Sequence, residues 1–259
     1  MVTAFSASPV AVPRDARFFV TMALLMALVL VAGFATQYLA GRSSFDAPVL
    51  THAHGMIFFG WVALLVTQTL LASRGSIALH RALGWIGAGW VIAMLIAGVG
   101  VIIVKTQAGL TPFFFQPQYF LIVNPMTIFA FAGLTAAAIV NRHRTDWHAR
   151  LHLGAMTMIL GPGFGRLLPM PLMIPWAFQI AALVALVFPI AGMIRDRRVE
   201  GRVHPAWWWS VAVLLGTLGV GELIVRSPVG DAIFAAVTAG HPGASAAPLA
   251  FAPPPPARP

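Results

Sequence analysis

Seven apolar runs of about 20 residues, each long enough to cross a bilayer as a helix, constrain this chain more than any motif in it. They fall at roughly 18–40, 50–72, 82–104, 118–140, 149–167, 173–194 and 206–226. A backbone in lipid must satisfy its own hydrogen bonds, so the runs are read as helices. None shows the polar–apolar alternation over about ten residues that marks a membrane β-strand. The expected fold is all-α: a polytopic membrane helix bundle of about seven transmembrane helices over 18–226. A cytoplasmic segment, 1–17, precedes it, and an extracytoplasmic Ala/Pro-rich tail, 227–259, follows. In that tail Ser227-Pro228 opens a predicted short helix reaching about Gly240, and the chain beyond, with Pro253–Pro256, reads as disordered or extended. The first run is longer than a secretory apolar segment and is read as an uncleaved anchor, although Ala32-Gly33-Phe34-Ala35 loosely matches a cleavage site.

Composition agrees with lipid as the solvent. The chain is 59% hydrophobic and 9% charged, whereas soluble domains carry about 25% charge. It has no cysteine, which excludes disulfides, thiolate metal ligands and Cys nucleophiles. Its net charge of +9 comes from basic residues in short loops between apolar runs. That pattern fits topology signals and contact with a lipid bilayer, not a nucleic-acid partner. With the N-terminus inside, the inner segments hold Arg14, Arg17, Arg74, Arg81, Arg142, Arg144, Arg150, Arg195, Arg197, Arg198 and Arg202, and the outer segments hold Arg42, Lys105, Arg166, Arg226 and Arg258. Eleven against five predicts an N-in, C-out protein of the bacterial inner (plasma) membrane. Trp207–Trp208–Trp209 then falls at the inner interface, where indole rings anchor.

Polar groups inside a membrane are costly and are candidate functional residues. Toward the outer face, the second run begins Thr51-His52-Ala53-His54. Residues i and i+2 of a helix point about 200° apart, so these two histidines do not share one metal. His54 shares a stripe with Phe58, Trp61, Leu65 and Gln68, which is expected to face the interior. Gln37, Asn124 before Pro125, Arg166 and Glu222 reach a similar depth, Glu222 being the only acidic residue in any predicted span. Two readings stand: a convergent pocket of His54, Gln68, Asn124, Arg166 and Glu222 that binds a small molecule or ion, or scattered interfacial residues. In the second, Glu222 pairs with Arg226 at i,i+4 and Arg166 snorkels to the surface.

A second set lies at the inner face: His80, His143, His148, His152 and His204. His148 and His152 are spaced i,i+4, on one helical face. With His80 they form a candidate three-His metal site or supply two axial ligands to a haem, with Asp146 as an acceptor behind them. Interfacial hydrogen bonding is the plainer use. Gly84, Gly87 and Gly89 lie inside a span with no preceding strand, so helix packing explains them better than a nucleotide loop. Gly161-Pro162-Gly163-Phe164-Gly165 is expected to break or end the fifth helix just before Arg166.

The run His52-Ala53-His54, followed by Trp61, Gln68 and Leu79-His80-Arg81-Ala82-Leu83-Gly84, resembles that of a family of uncharacterised bacterial multi-pass inner-membrane proteins. In that family a later His-x-Arg-Leu segment opens a helix that ends at an Arg, here His148-Ala149-Arg150-Leu151 and Arg166. The resemblance covers about residues 18 to 195 and implies a multi-pass membrane protein without implying an activity. His152 departs from it, standing where an apolar residue is expected.

Three functional expectations follow. The first is a non-enzymatic membrane protein with the outer polar pocket. The second is a membrane redox protein that binds haem or a metal through His80 with His148 or His152. The third is an accessory subunit packed against a larger membrane complex with no site of its own.

Overall fold

In the computed structural model, residues 14–43 and 46–254 are described, Arg14 by its backbone only. The first 13 residues of the predicted N-terminal segment, Arg258, and Pro255 and Pro256 of the proline run lie outside the described residues. The described residues form helices and no strands: α1 (Arg14–Leu39), α2 (Val49–Ser73), α3 (Ile77–Gln107), α4 (Pro117–Val140), α5 (Thr145–Met158), α6 (Gly161–Leu167), α7 (Ala177–Val184), α8 (Val187–Glu200), α9 (Pro205–Val225) and α10 (Pro228–Thr238). Short 3-10 turns occupy Met170–Met173 and Pro242–Ser245.

Six of these stretches are long and apolar enough to cross a membrane: α1, α2, α3, α4, the α7–α8 rod (Ala177–Glu200) and α9. They mark a multi-pass membrane protein. At most half of each span's most apolar window is buried inside the bundle. The rest of the apolar surface, including Leu28, Ile96, Phe129 and Leu223, points outward, which suits lipid and not water. Inward, Met26, Met94, Phe131, Met156, Leu160 and Leu214 are fully buried in one core shared by α1, α3, α4, α5 and α9.

The fifth apolar run is the exception to a continuous rod. Its helix stops at Met158 and resumes at Gly161, so the break falls at Ile159–Leu160, earlier than the position expected from the Gly-Pro-Gly string. The reason is local. Pro162 lacks an N–H and fits the first turn of a new helix, so Gly-Pro-Gly starts α6 instead of ending α5. The glycines serve a crossing. A Cβ on Gly33 would stand 2.6 Å from the Gly163 carbonyl oxygen, so α1 and α6 touch backbone to backbone. In the Gly84–Gly89 string, Gly84 and Gly87 face Gln68 and Leu64 of α2, while Gly89 faces open space.

Polar contacts tie the helices at two opposite ends. At one end Arg150 of α5 binds Asp196 of α8, Trp207 of α9 donates to the same carboxylate, and Arg195 reaches Asp15 of α1. At the other, Gln37 of α1 donates to the Arg166 carbonyl at the end of α6 (2.8 Å). There Gln118 of α4 donates to the Val225 carbonyl of α9 (2.7 Å) and to Asp231 of α10 (3.0 Å).

The tail is more ordered than its composition suggests. The short helix expected after Ser227 is α10, and the Ser227 side chain caps it by accepting from the Gly230 N–H. Beyond Gly240, where disorder or extension is expected, Pro242–Ser245 forms a 3-10 turn. The Pro248 carbonyl accepts from the Gln118 N–H (2.9 Å), and the Leu249 carbonyl accepts from the Gln116 side chain (2.6 Å). Those two bonds dock an Ala/Pro-rich strip onto the first turn of α4.

Candidate functional site

The inner-face histidines come together. His80, in the first turn of α3, and His148, in the first turn of α5, have ring centres 6.1 Å apart at 81°. His152, one turn along α5, lies 4.6 Å from His148. Backbone carbonyls hold two of the rings. His80 Nδ1 stands 3.2 Å from the Gln68 carbonyl and His148 Nδ1 stands 2.8 Å from the Ala138 carbonyl. A ring nitrogen bonds a carbonyl only as a donor, so each Nδ1 carries a proton, and in the neutral ring that leaves the lone pair on Nε2. Gln68 completes the clamp by donating to the His80 carbonyl (3.0 Å). Among the described residues no group of three or more His, Asp or Glu is arranged to hold a metal ion, so the triad is three adjacent rings and not a preformed three-donor cage.

The outer-face candidates are less concentrated. Gln68, grouped with them by its stripe on α2, belongs to the His80 end of the molecule. The rest of that stripe does turn inward: Trp61 is buried against Phe131 of α4, and His54 stacks on Phe58 with its Nδ1 buried and unpartnered. Asn124 donates to the Phe120 carbonyl one turn back in its own helix (3.1 Å). Glu222 pairs with Arg226 at i,i+4. Arg166 donates to the Pro162 carbonyl (2.8 Å) and lays its guanidinium 3.9 Å over the Phe34 ring. No hydrogen bond joins any two of these five residues among the described residues.

The most densely bonded group among the described residues was not among the candidates. Asp196, fully buried, accepts from Arg150 Nε and Nη2 (2.8 and 2.9 Å), from Arg195 Nη1 (2.9 Å) and from Trp207 Nε1 (2.8 Å). Glu200 accepts from the same two arginines at 2.6 and 2.8 Å. Asp196 lies two residues past the end of its predicted span and is flanked by arginines, so it reads as a loop charge. The Trp triplet divides accordingly. Trp208 and Trp209 are exposed in the manner of interfacial anchors, whereas Trp207 is buried and bonds the carboxylate. A Cβ on Gly192 would collide with the Trp207 ring, so that glycine makes room for it.

Asp146, expected behind the inner histidines, instead faces His204, whose Nε2 lies 3.0 Å from Oδ2. Partial burial pushes the Asp146 carboxyl up, but the bonds from His204 and from the Trp147 N–H outweigh it. The net effect holds the carboxyl below its ordinary range.

No protein-family model, curated protein or solved structure matches this chain.

Proposed function

We propose that the chain is a seven-pass membrane protein, N-terminus on the cytoplasmic side, whose site is the imidazole group of His80, His148 and His152. In this reading the site binds an iron or other transition-metal centre, either haem iron or a bare ion. The observation that carries it is the pair of rings on two helices, each with Nδ1 tied to a backbone carbonyl and Nε2 free. Metal-binding histidines are oriented in this manner, because the bond at one nitrogen sets the tautomer and the ring direction. His80 and His148, with ring centres 6.1 Å apart, would hold such a centre through their Nε2 atoms and would supply it with neutral nitrogen donors. Imidazole donors suit iron, copper, zinc and nickel. His152 then either moves to a third position or lies against the bound centre.

The seventh crossing is α5 with α6. The predicted run, residues 149–167, would rise about 28 Å at helical spacing, close to a hydrocarbon layer of about 30 Å. The two sets of end contacts support that path, since Arg150 lies at one end of the bundle and Arg166 at the other.

The test is an absorption spectrum of the detergent-purified protein, oxidised and dithionite-reduced, with elemental analysis of the same sample. A stoichiometric Soret band identifies haem, and a stoichiometric metal without one identifies a bare ion. His80→Ala and His148→Ala are each expected to remove it. A colourless protein that takes up neither haem nor Fe, Cu, Zn or Ni ions sinks the proposal. In that case a second reading gains, the outer pocket that binds or passes a small molecule or ion. It is favoured by the buried, unpartnered His54 Nδ1, an atom that a polar occupant would satisfy.

A further inference from the structure

On the lipid-facing side of α8 and α9, at the end that holds Asp196, an open groove of about 410 Å³ is lined by Ile190, Met193, Ile194, Val203, Trp208, Arg197 and Arg198. We infer that this groove is a binding site for one anionic phospholipid. Its acyl chain lies along the aliphatic side chains against Trp208, and its phosphate lies between Arg197 and Arg198.

The groove has two chemistries in the order a lipid needs. Ile190, Met193 and Ile194 follow one face of α8 at helical spacing, and Trp208 of α9 walls the other side. Ile190, Ile194 and Trp208 are each about half exposed, a surface that lipid covers and water does not favour. One turn further on, the lining is the aliphatic stems of Arg197 and Arg198, two exposed side chains that end in guanidiniums. Indole and arginine at that depth are the usual partners of a headgroup.

Charge bookkeeping within the protein says that these arginines await an outside anion. Every carboxylate described at this end is already engaged. Asp196 and Glu200 are held by Arg150 and Arg195, Asp15 by Arg195, and Asp146 by His204. Arg198 has no carboxylate partner among the described residues. Arg197 uses one donor on the Gly201 carbonyl, which closes α8 in the left-handed conformation, and keeps its other donors. A free phosphate ion would meet the same guanidiniums but would leave the apolar half of the groove uncovered, so the commitment is to the lipid.

The experiment is native mass spectrometry of the full-length protein, delipidated in detergent and titrated separately with phosphatidylglycerol, phosphatidylcholine and inorganic phosphate. One phosphatidylglycerol is expected to remain bound per chain at concentrations where phosphatidylcholine does not. Arg197→Gln with Arg198→Gln is expected to weaken it about 30-fold, the effect of two basic side chains at an anionic lipid surface. Both side chains are exposed, so the variant retains the fold. Trp208→Ala is expected to shorten retention of phosphatidylglycerol, whereas Arg202→Gln, outside the groove, is expected to leave it unchanged. Equal retention of the two lipids, an unchanged double variant, or inorganic phosphate displacing the lipid at equal concentration would each overturn the assignment.

Discussion

Replacing Asp196 by Ala removes the one carboxylate that four donors share. Arg150 then keeps only Glu200 and its own-helix bond to the Asp146 carbonyl, while its side chain remains buried. Stripping the partner from a buried charge costs about 3–5 kcal/mol, chiefly because the surviving charge stays desolvated. For a chain of this size roughly 2–4 °C of melting temperature goes with each kcal/mol, so a fall of roughly 6–20 °C is expected. The assay is thermal unfolding in a mild detergent followed by tryptophan emission, since Trp207 loses its acceptor in the same substitution. Adding Arg150→Met to the variant removes the stranded cation and is expected to recover part of the loss. Coupled neighbours of this kind depart from additivity by about 0.5–3 kcal/mol. A shift below about 2 °C, or two losses that simply add, would refute the picture of a shared buried carboxylate.

Gly33→Ala pushes a methyl against the Gly163 carbonyl across the α1–α6 crossing, and overpacking of this sort is expected to cost about 1–3 kcal/mol in the same thermal assay. Gly89→Ala, which meets open space, is expected to be neutral or slightly stabilising. Asp146 supplies a pH test. Its folded carboxyl titrates below its ordinary range, so its contribution is present above that range and is lost as pH falls through the lowered value. Asp146→Asn is expected to flatten that part of the acid limb of melting temperature against pH. The effect is small, because the side chain is half exposed and screened. An unchanged acid limb counts against the Asp146–His204 bond as a contributor to stability.

Hydropathy alone placed the ends of the six long apolar helices to within about six residues, because a spanning segment has few ways to satisfy its backbone. The broken fifth helix shows where this stops. Gly-Pro-Gly announces an interruption and Pro162 locally suits the start of a helix, but the crossing the glycines serve, Gly163 against Gly33 of α1, is a contact no local pattern contains. The inner histidines were legible as a group because His148 and His152 share a helical face and His80 opens a helix at the same end. In the outer group Asn124, Arg166 and Glu222 come in by depth, and Gln68 by its stripe with His54. Depth says nothing of azimuth, so Asn124 and Glu222 bond within their own helices, while Gln68 joins the histidines at the opposite end. Asp196 was hidden for a related reason. A carboxylate amid arginines at a span's edge reads as solvated until two other helices, α5 and α9, are known to close over it.

The same network bears on the proposed orientation. Arg150 and Arg195 count toward the arginine-rich side, yet both are engaged by Asp196 and Glu200 and act as structural cations. Setting them aside leaves nine basic residues against five. The bias therefore survives, and it rests on loop arginines such as Arg74, Arg81, Arg142 and Arg202, the kind that governs insertion. Because the chain has no cysteine, single cysteines report the topology without background. Ala247→Cys lies at the end of Gln118 and Arg202→Cys at the end of Asp196, both at exposed positions. A membrane-impermeant maleimide is expected to label the Ala247 variant in intact cells and the Arg202 variant only after permeabilisation. The opposite pattern would overturn the proposed topology: either the protein is inverted, and with it the side on which His80 and His148 meet their ligand, or α5 and α6 do not carry the chain across. Labelling of both variants in intact cells would mean that α9 does not carry the chain across.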